Sequence, residues 1–238
     1  MKVLAFDSSG LVASVAIVND KDLVAEYTVN YKKTHSQTLL PMLDEISKML
    51  NLDLKEVDAI AVAEGPGSFT GLRIGSATVK GLGMVLDIPI IPVPTVDGLA
   101  YNLYKTKGVI CPLMDARRNQ VYTGIYKWDQ DEFVVLSEQK AVGIEEIAKE
   151  INQINEEVIF LGDGVSVFEG QLKEMIKVPY TFAPPHVSKQ RAGAIGALGL
   201  EMYKKGTMID SDDFSPTYLR KSQAERELEK KKNQENQK

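Results

Sequence analysis

Few side chains in this sequence have the chemistry to catalyse a reaction on their own. The chain contains two histidines, His35 and His186, and one cysteine, and neither histidine has another His or Cys near it in sequence. A zinc site needs clustered His, Cys or carboxylate ligands, and a Ser-His-Asp hydrolase would need a G-x-S-x-G turn, which is missing. We therefore expect both histidines to be solvated or capping side chains.

Two acidic turns could hold a phosphate group. Asp7-Ser8-Ser9-Gly10 and Asp115-Ala116-Arg117-Arg118 each follow one predicted strand and precede another. Asp and Ser are also ordinary turn residues, because their side chains hydrogen-bond to nearby backbone groups. From the residues alone, an ordinary turn is the favoured interpretation and a phosphate site is the alternative.

A glycine-rich stretch lies between these turns. Residues 65–75 read Gly-Pro-Gly-Ser-Phe-Thr-Gly-Leu-Arg-Ile-Gly, where a strand is predicted to end and Ser68 or Thr70 can cap the following helix. Amides at that helix start could hold an anion, but the Gly-Lys-Ser/Thr of a P-loop is missing.

Small residues continue through that predicted helix, with Gly71 and Gly75 on one side and Ala77 and Gly81 on another. Glycine in a helix interior costs ~1 kcal/mol relative to alanine, so a packing reason is expected. Close approach of a second helix would be that reason. The spacing leaves open whether the second helix belongs to this chain or to a partner.

The elements that position these residues form two similar series. The first series predicts strands at 2–8, 11–18, 23–29, 58–63 and 89–92, and helices from residue 36 to about 50, at 69–86 and at 96–104. The second predicts strands at 109–114, 121–128, 133–137, 158–161 and near 180, and helices at 144–154, 165–175 and 189–204. Pro41 falls inside the first helix and is expected to kink or loosen its first turns. Strand and helix alternate after each meander, which predicts an α/β protein with mixed sheets.

Composition limits the partners and the location. Of the 238 residues, 44% are hydrophobic and 26% charged, which is typical of a globular chain, and the net charge of -5 argues against a broad phosphate-binding surface. No apolar stretch is long enough to span a membrane, and a single cysteine suits a reducing cytoplasm. The residues after 220 are rich in Lys, Glu and Gln, which predicts a charged, disordered tail at 223–238.

Five segments, in order along the chain, resemble the TsaB family of bacterial accessory proteins for making threonylcarbamoyladenosine in tRNA. The matching segments are 6–8, 34–43, 65–75, 115–118 and 215–220. The resemblance implies the actin-like ATPase (RNase H-like) fold, with two lobes that each carry a mixed sheet and flanking helices. It places the first lobe at 1–104 plus 187–222 and an abbreviated second lobe at 105–186.

The resemblance also implies that the chain is a catalytically inactive relative of the transferase TsaD, in the family once called glycoproteases. An active relative carries a His-x-x-x-His metal pair where this sequence has Thr95 and Leu99, aligned on Gly98. Neither residue is a useful metal ligand there. No catalytic residue and no metal ligand are therefore expected, and Asp7, Ser8 and Asp115 are interpreted as vestigial nucleotide-loop residues.

As a function, the resemblance implies a non-catalytic scaffold that binds TsaD and, with it, the ATPase TsaE. We expect tRNA to be reached indirectly through the complex, and the isolated chain to bind no cofactor and to form a homodimer. The complex interface is a place where ATP or ADP could bind. The partner contact is expected on first-lobe helices, at Leu39, Leu40, Leu43, Arg73, Ala77, Lys80 and Met84.

Two other functions stay open on the residues alone. A metallopeptidase is the older family description, and the missing histidines argue against it. A small-molecule kinase on the same fold is permitted by the turns at Asp7 and Asp115 but has no substrate-lobe motif in its favour.

Overall fold

The computed structural model describes residues 1–31 and 34–220, which form two five-stranded mixed sheets. The predicted tail at 223–238 lies outside the described residues. Within the described part of the chain, no helix is both long and apolar enough to cross a bilayer.

The first sheet has the strand order β3-β2-β1-β4-β5. Strands β1 to β3 form the predicted antiparallel meander, and β4 and β5 add to β1 in parallel. The strands are β1 Lys2–Asp7, β2 Val12–Asn19, β3 Leu23–Asn30, β4 Ala59–Gly65 and β5 Ile90–Pro94.

The second sheet repeats this arrangement with the order β10-β9-β6-β7-β8. Its strands are β6 Val109–Asp115, β7 Gln120–Asp129, β8 Glu132–Gly143, β9 Val158–Leu161 and β10 Tyr180–Phe182. The repeat of a meander followed by parallel strands confirms the fold class predicted from the order of elements.

Six α-helices in the described residues cover the sheets: α1 Leu39–Leu50, α2 Phe69–Leu86, α3 Thr95–Ala100, α4 Ile144–Ile154, α5 Gly164–Met175 and α6 Ala192–Lys204. Helices α1 and α2 pack on one face of the first sheet and α6 on the other. Helices α4 and α5 cover one face of the second sheet, while α3 packs on its opposite face. Since α3 also contacts β4, β5 and α6, it lies between the two sheets. The division into lobes at 104 and 186 stays a prediction.

Pro41 does not disturb α1 in the predicted way. The helix begins at Leu39, so Pro41 occupies its first turn, where a backbone N–H has no partner inside the helix. No helical hydrogen bond is lost, and the expected kink has no cause at this position.

Candidate functional site

The segments singled out in the sequence converge on the N-terminus of α2. Ser68 caps the helix by accepting a hydrogen bond from the Gly71 N–H at 3.3 Å, and its own N–H donates to the Ser9 carbonyl at 2.7 Å. The Ser8 hydroxyl donates to the Gly71 carbonyl at 2.9 Å. The first acidic turn and the glycine-rich stretch therefore form one packed unit.

Glycines at this contact are required by the chain's own turn. A Cβ at Gly71 would lie 2.0 Å from the Ser8 carbonyl oxygen, and one at Gly75 would lie 2.4 Å from the Ser8 hydroxyl oxygen. These distances leave no room for a side chain. The small side of α2 that contains Gly71 and Gly75 faces the β1–β2 turn, not a partner helix.

His35 joins the same unit from the segment before α1. Its Nε2–H donates to the Gly10 carbonyl at 2.9 Å, and the ring is half-buried. His35 is therefore a tether between the first turn and the start of α1, which differs from the solvated or capping side chain that we expected.

The C-terminal segment completes the unit by crossing α2. The Thr217 N–H donates to the Glu64 carbonyl at 2.8 Å, and the Tyr218 ring stacks on Phe69 with centroids 4.6 Å apart. Arg73 Nε donates to the Tyr218 hydroxyl oxygen at 3.4 Å, and Lys80 Nζ donates to the carbonyls of residues 212 and 214 at 2.9 and 3.1 Å. The two predicted partner residues Arg73 and Lys80 thus hold the chain's own C-terminal segment.

A cleft of about 360 Å³ lies between this unit and the second acidic turn. Asp115 Oδ1 accepts from the Arg117 N–H at 2.8 Å, and its other oxygen pairs with the Arg117 guanidinium at 3.2 Å. Residues 117–119 hold three successive positive φ angles, 65°, 59° and 58°. The lining includes small residues of the first turn and of the glycine-rich stretch, together with acidic and basic side chains. These residues are Ser9, Gly10, Gly67, Ser68, Asp115, Arg117, Arg118, Asp163 and Arg220.

Asp163 also lines this cleft, although no motif in the sequence singles it out. One of its carboxylate oxygens is buried without a hydrogen-bond partner in the described residues, and burial raises the pKa of the side chain. The cleft can present helix amides and arginines to an anion, with Asp115 and Asp163 opposing it. A lone Asp before a helix carries no sequence signal that separates this position from a surface turn.

Asp7 and Ser8 do not line the cleft, and their interpretation as vestigial nucleotide-loop residues stays a prediction. Both are buried, with 1% and 2% of the residue surface exposed. Asp7 Oδ1 accepts from the Ser9 N–H at 2.9 Å and from the Ser9 hydroxyl at 2.6 Å, while Ser8 is bonded to α2. Only Asp115 of the three predicted residues reaches the cleft. A kinase that uses Asp7 would therefore lack that carboxylate in its cleft.

Burial of Asp7 predicts a pH dependence of stability. Burial raises its pKa from 3.8 to about 6, against a partial lowering by the Ser9 hydrogen bonds. The folded state therefore holds this proton more tightly than the unfolded state, and the stability it contributes is lost as the pH rises from about 4 through about 6. We expect Asp7→Asn to be more stable than the parent chain at pH 7, by up to ~3 kcal/mol, because its Oδ1 can still accept from Ser9.

Thermal melting of both proteins at pH 4.5 and pH 7 checks this prediction. The advantage of Asp7→Asn should appear at pH 7 and shrink at pH 4.5. Asp97, whose pKa burial also raises to about 6, is unchanged in the variant, so part of the pH dependence remains. If the melting temperatures of the variant and the parent chain differed equally at both pH values, the loss of stability with rising pH could not be assigned to Asp7.

Thr95 and Leu99, the two positions that the resemblance aligns with a metal-binding pair, do not fit a metal. Thr95 is fully buried and its hydroxyl oxygen accepts from the Gly65 N–H at 3.0 Å, whereas Leu99 packs in the apolar contact of α3 with the second sheet. Among the described residues, no three His, Cys, Asp or Glu side chains are grouped to hold a metal ion. Thr95 instead fastens the end of β4 to α3.

The predicted partner residues on α1 separate into two groups. Leu39 and Leu43 are 1% and 4% exposed and pack with the first sheet, so their prediction as partner contacts is wrong. Leu40 points outward and is 52% exposed. The helical period predicted an apolar face correctly, but that face belongs to the core of this chain.

On α2, an outward stripe is formed by residues three or four apart: Arg73, Ala77, Gly81 and Met84. Met84 is 61% exposed, and Val85 beside it, which the sequence analysis did not select, is 83% exposed. A Cβ at Gly81 would meet no atom within 4 Å, so packing within the described chain does not require glycine there. We call Arg73, Ala77, Gly81, Met84 and Val85 the α2 stripe.

The paired mixed sheets, with a cleft between two acidic turns, define the class of actin-like ATPase folds. The chain is similar in fold to the inorganic polyphosphate/ATP-glucomannokinase of Arthrobacter sp. strain KM, with a TM-score of 0.51 and 14% identity over 86% of this chain and 99% of that one. That likeness concerns the fold alone.

Closer similarity is found to YeaZ from Pseudomonas aeruginosa, with a TM-score of 0.79 and 26% identity over 92% of this chain and 99% of that one. The family described as TsaD, tRNA N6-adenosine threonylcarbamoyltransferase, matches residues 22–228. The tRNA threonylcarbamoyladenosine biosynthesis protein TsaB of Bacillus subtilis (strain 168) is 30% identical over 94% of this chain and 96% of its own length, and that of Escherichia coli (strain K12) is 29% identical over 96% and 98%. The chain belongs to the TsaB proteins of this family, which confirms the resemblance found in the motifs.

Proposed function

We propose that this chain is a non-catalytic scaffold in the biosynthesis of threonylcarbamoyladenosine in tRNA. In this proposal the chain binds TsaD and, with it, TsaE, and is required for threonylcarbamoylation of the adenosine beside the anticodon. The relatives' names support a role in this pathway. The positions of Thr95 and Leu99 support a chain that does not itself carry out the transfer.

The α2 stripe is the observation that carries the scaffold proposal. It exposes Ala77, Gly81 and two large apolar side chains on a long helix, and nothing in the described chain covers Gly81. Small residues allow the backbone of a second helix to come close, while Met84 and Val85 supply apolar area. Leu40 extends the apolar surface on α1, which covers the same face of the first sheet.

The same surface accounts for two further parts of the proposal. In the absence of TsaD, two copies of the chain would cover their α2 stripes by pairing, which predicts a homodimer in isolation. The net charge of -5 favours contact with tRNA through the complex, and ATP or ADP is proposed only at the complex interface.

Complementation tests the proposal. Cells depleted of the chain should accumulate tRNA without the threonylcarbamoyl group, and the parent chain should restore the modification, measured by mass spectrometry of tRNA nucleosides. Asp115→Ala should restore it too, within about twofold, because the cleft carboxylate has no catalytic role in a scaffold. A folded Asp115→Ala variant that binds TsaD normally but restores nothing would contradict the non-catalytic proposal.

A further inference from the structure

A second concavity, of about 940 Å³, shares no lining residue with the cleft described above. Aromatic side chains form one of its walls: Tyr101, Tyr104, Trp128 and Phe133. The Trp128 ring contacts the other three, with centroid distances of 4.8 to 5.3 Å. The indole N–H donates to the Leu103 carbonyl at 2.7 Å, which fixes the ring. This aromatic wall is therefore preformed, and the 61% exposed Tyr104 is accessible to a ligand.

Carboxylates surround the aromatic wall. Five of them line the cavity together with one lysine, Lys205: the acids are Asp97, Asp129, Asp131, Glu132 and Glu201. Two of these acids are paired with lysines outside the lining, Asp131 with Lys105 and Glu201 with Lys204. The other three carboxylates form no ion pair in the described residues and are left uncompensated. Aromatic faces and carboxylates both attract cations, and the combination suits an organic ammonium better than a metal ion, which rings do not ligate.

Asp97 supplies a carboxylate at the more buried part of the cavity lining. The Tyr126 hydroxyl donates to its Oδ1 at 2.7 Å, and no ion pair in the described residues includes it. Burial, with a contribution from the negative charge of Glu138, raises the pKa of Asp97 to about 6. A cation in the cavity would stabilise the ionised form of this side chain.

The chain itself provides an example of the chemistry that the cavity favours. The Lys105 ammonium lies 5.3 Å from the centroid of the Tyr104 ring and forms an ion pair with Asp131. One ring and one carboxylate of the lining thus already hold an alkylammonium group. The remaining carboxylates offer further positions of the same kind.

We propose that this cavity binds an aliphatic polyamine. Its ammonium groups would pair with the uncompensated carboxylates, and the methylene segments between them would pack on Tyr101, Tyr104 and Phe133. A linear polyamine fits because the carboxylates are distributed around an apolar wall instead of converging on one point. This site is independent of the proposed function, since none of its residues belongs to the α2 stripe.

Intrinsic fluorescence gives a direct test, because Trp128 is the only tryptophan of the chain. Titration of the full chain with spermidine should change the emission saturably, with one molecule bound per chain by calorimetry. Asp97→Asn and Tyr104→Leu should each weaken binding about tenfold, the size expected for loss of one charge pair or cation–π contact near a buried site. Lys105→Met should strengthen binding, because it removes the resident ammonium.

The controls separate this site from general charge attraction. Glu45→Gln, which removes an exposed carboxylate on α1, should leave the spermidine affinity unchanged. Magnesium at matched ionic strength should not reproduce the fluorescence change. Absence of saturable binding, equal weakening by Glu45→Gln, or binding of a hexalysine peptide without any binding of spermidine would overturn the proposal.

Discussion

Replacing Ala77 with glutamate is expected to abolish binding to TsaD while the chain stays folded. Ala77 lies in the outward stripe of α2, so the new side chain enters solvent in the isolated protein. Alanine to glutamate at an exposed helix position costs only a few tenths of a kcal/mol. In the proposed complex, however, the carboxylate would be buried without a partner, at a cost of several kcal/mol. Each 1.4 kcal/mol lowers affinity about tenfold, so a loss of at least ~100-fold is expected.

The measurement combines thermal melting with a quantitative pull-down by TsaD. Ala77→Ser keeps the residue small and should bind within a few-fold of the parent chain. Gln153→Glu adds the same charge to an exposed position of α4, which covers the second sheet, and should bind normally. Cells that carry Ala77→Glu as their only copy should contain tRNA without the threonylcarbamoyl group. Full-strength binding by folded Ala77→Glu would place the interface elsewhere.

The boundaries of α2 could be predicted from the sequence, but its two small faces could not be told apart. Ser68 supplies the cap and Asp87 ends the helix in a left-handed conformation, so both ends have local signals. Gly75 and Ala77 are both small, yet Gly75 packs on Ser8 and Ala77 is exposed. Only the approach of the β1–β2 turn, a contact distant in sequence, distinguishes them.

The two acidic turns show that burial of charged residues is equally difficult to predict from the sequence. Asp7 and Asp115 occupy equivalent turns in the two series of elements, and the sequence treats them alike. In the structure, Asp7 is enclosed by Ser9 and α2, whereas Asp115 faces Arg117 at the cleft. Burial of a turn carboxylate depends on what packs over the turn. Here the N-terminus of α2 covers the first turn.

Leu40 and Leu43, three residues apart on α1, show most clearly which side of the helix faces the core and which side faces solvent. Leu43 is 4% exposed and packs with the first sheet, whereas Leu40 is 52% exposed. Truncation of a buried leucine to alanine removes apolar contact and leaves a cavity, which costs about 2–5 kcal/mol. Truncation of a half-exposed leucine removes far less buried area and should cost under ~1 kcal/mol.

We therefore expect Leu43→Ala to lower the melting temperature by about 4–20 °C and Leu40→Ala by no more than ~4 °C, at 2–4 °C per kcal/mol for a chain of this size.

Binding to TsaD should show the reverse order. Leu40→Ala should weaken it about fivefold or more, because the side chain is available to a partner helix, while folded Leu43→Ala should bind almost normally. Thermal melting and the TsaD pull-down measure the two effects on the same preparations. A larger loss of stability for Leu40→Ala than for Leu43→Ala would mean that the inward and outward faces of α1 are assigned the wrong way round. A second outcome would also contradict the proposal: at a temperature where both variants are folded, Leu43→Ala weakens binding to TsaD and Leu40→Ala does not. The core leucine would then shape the interface, and the proposed contact at Leu40 would fail.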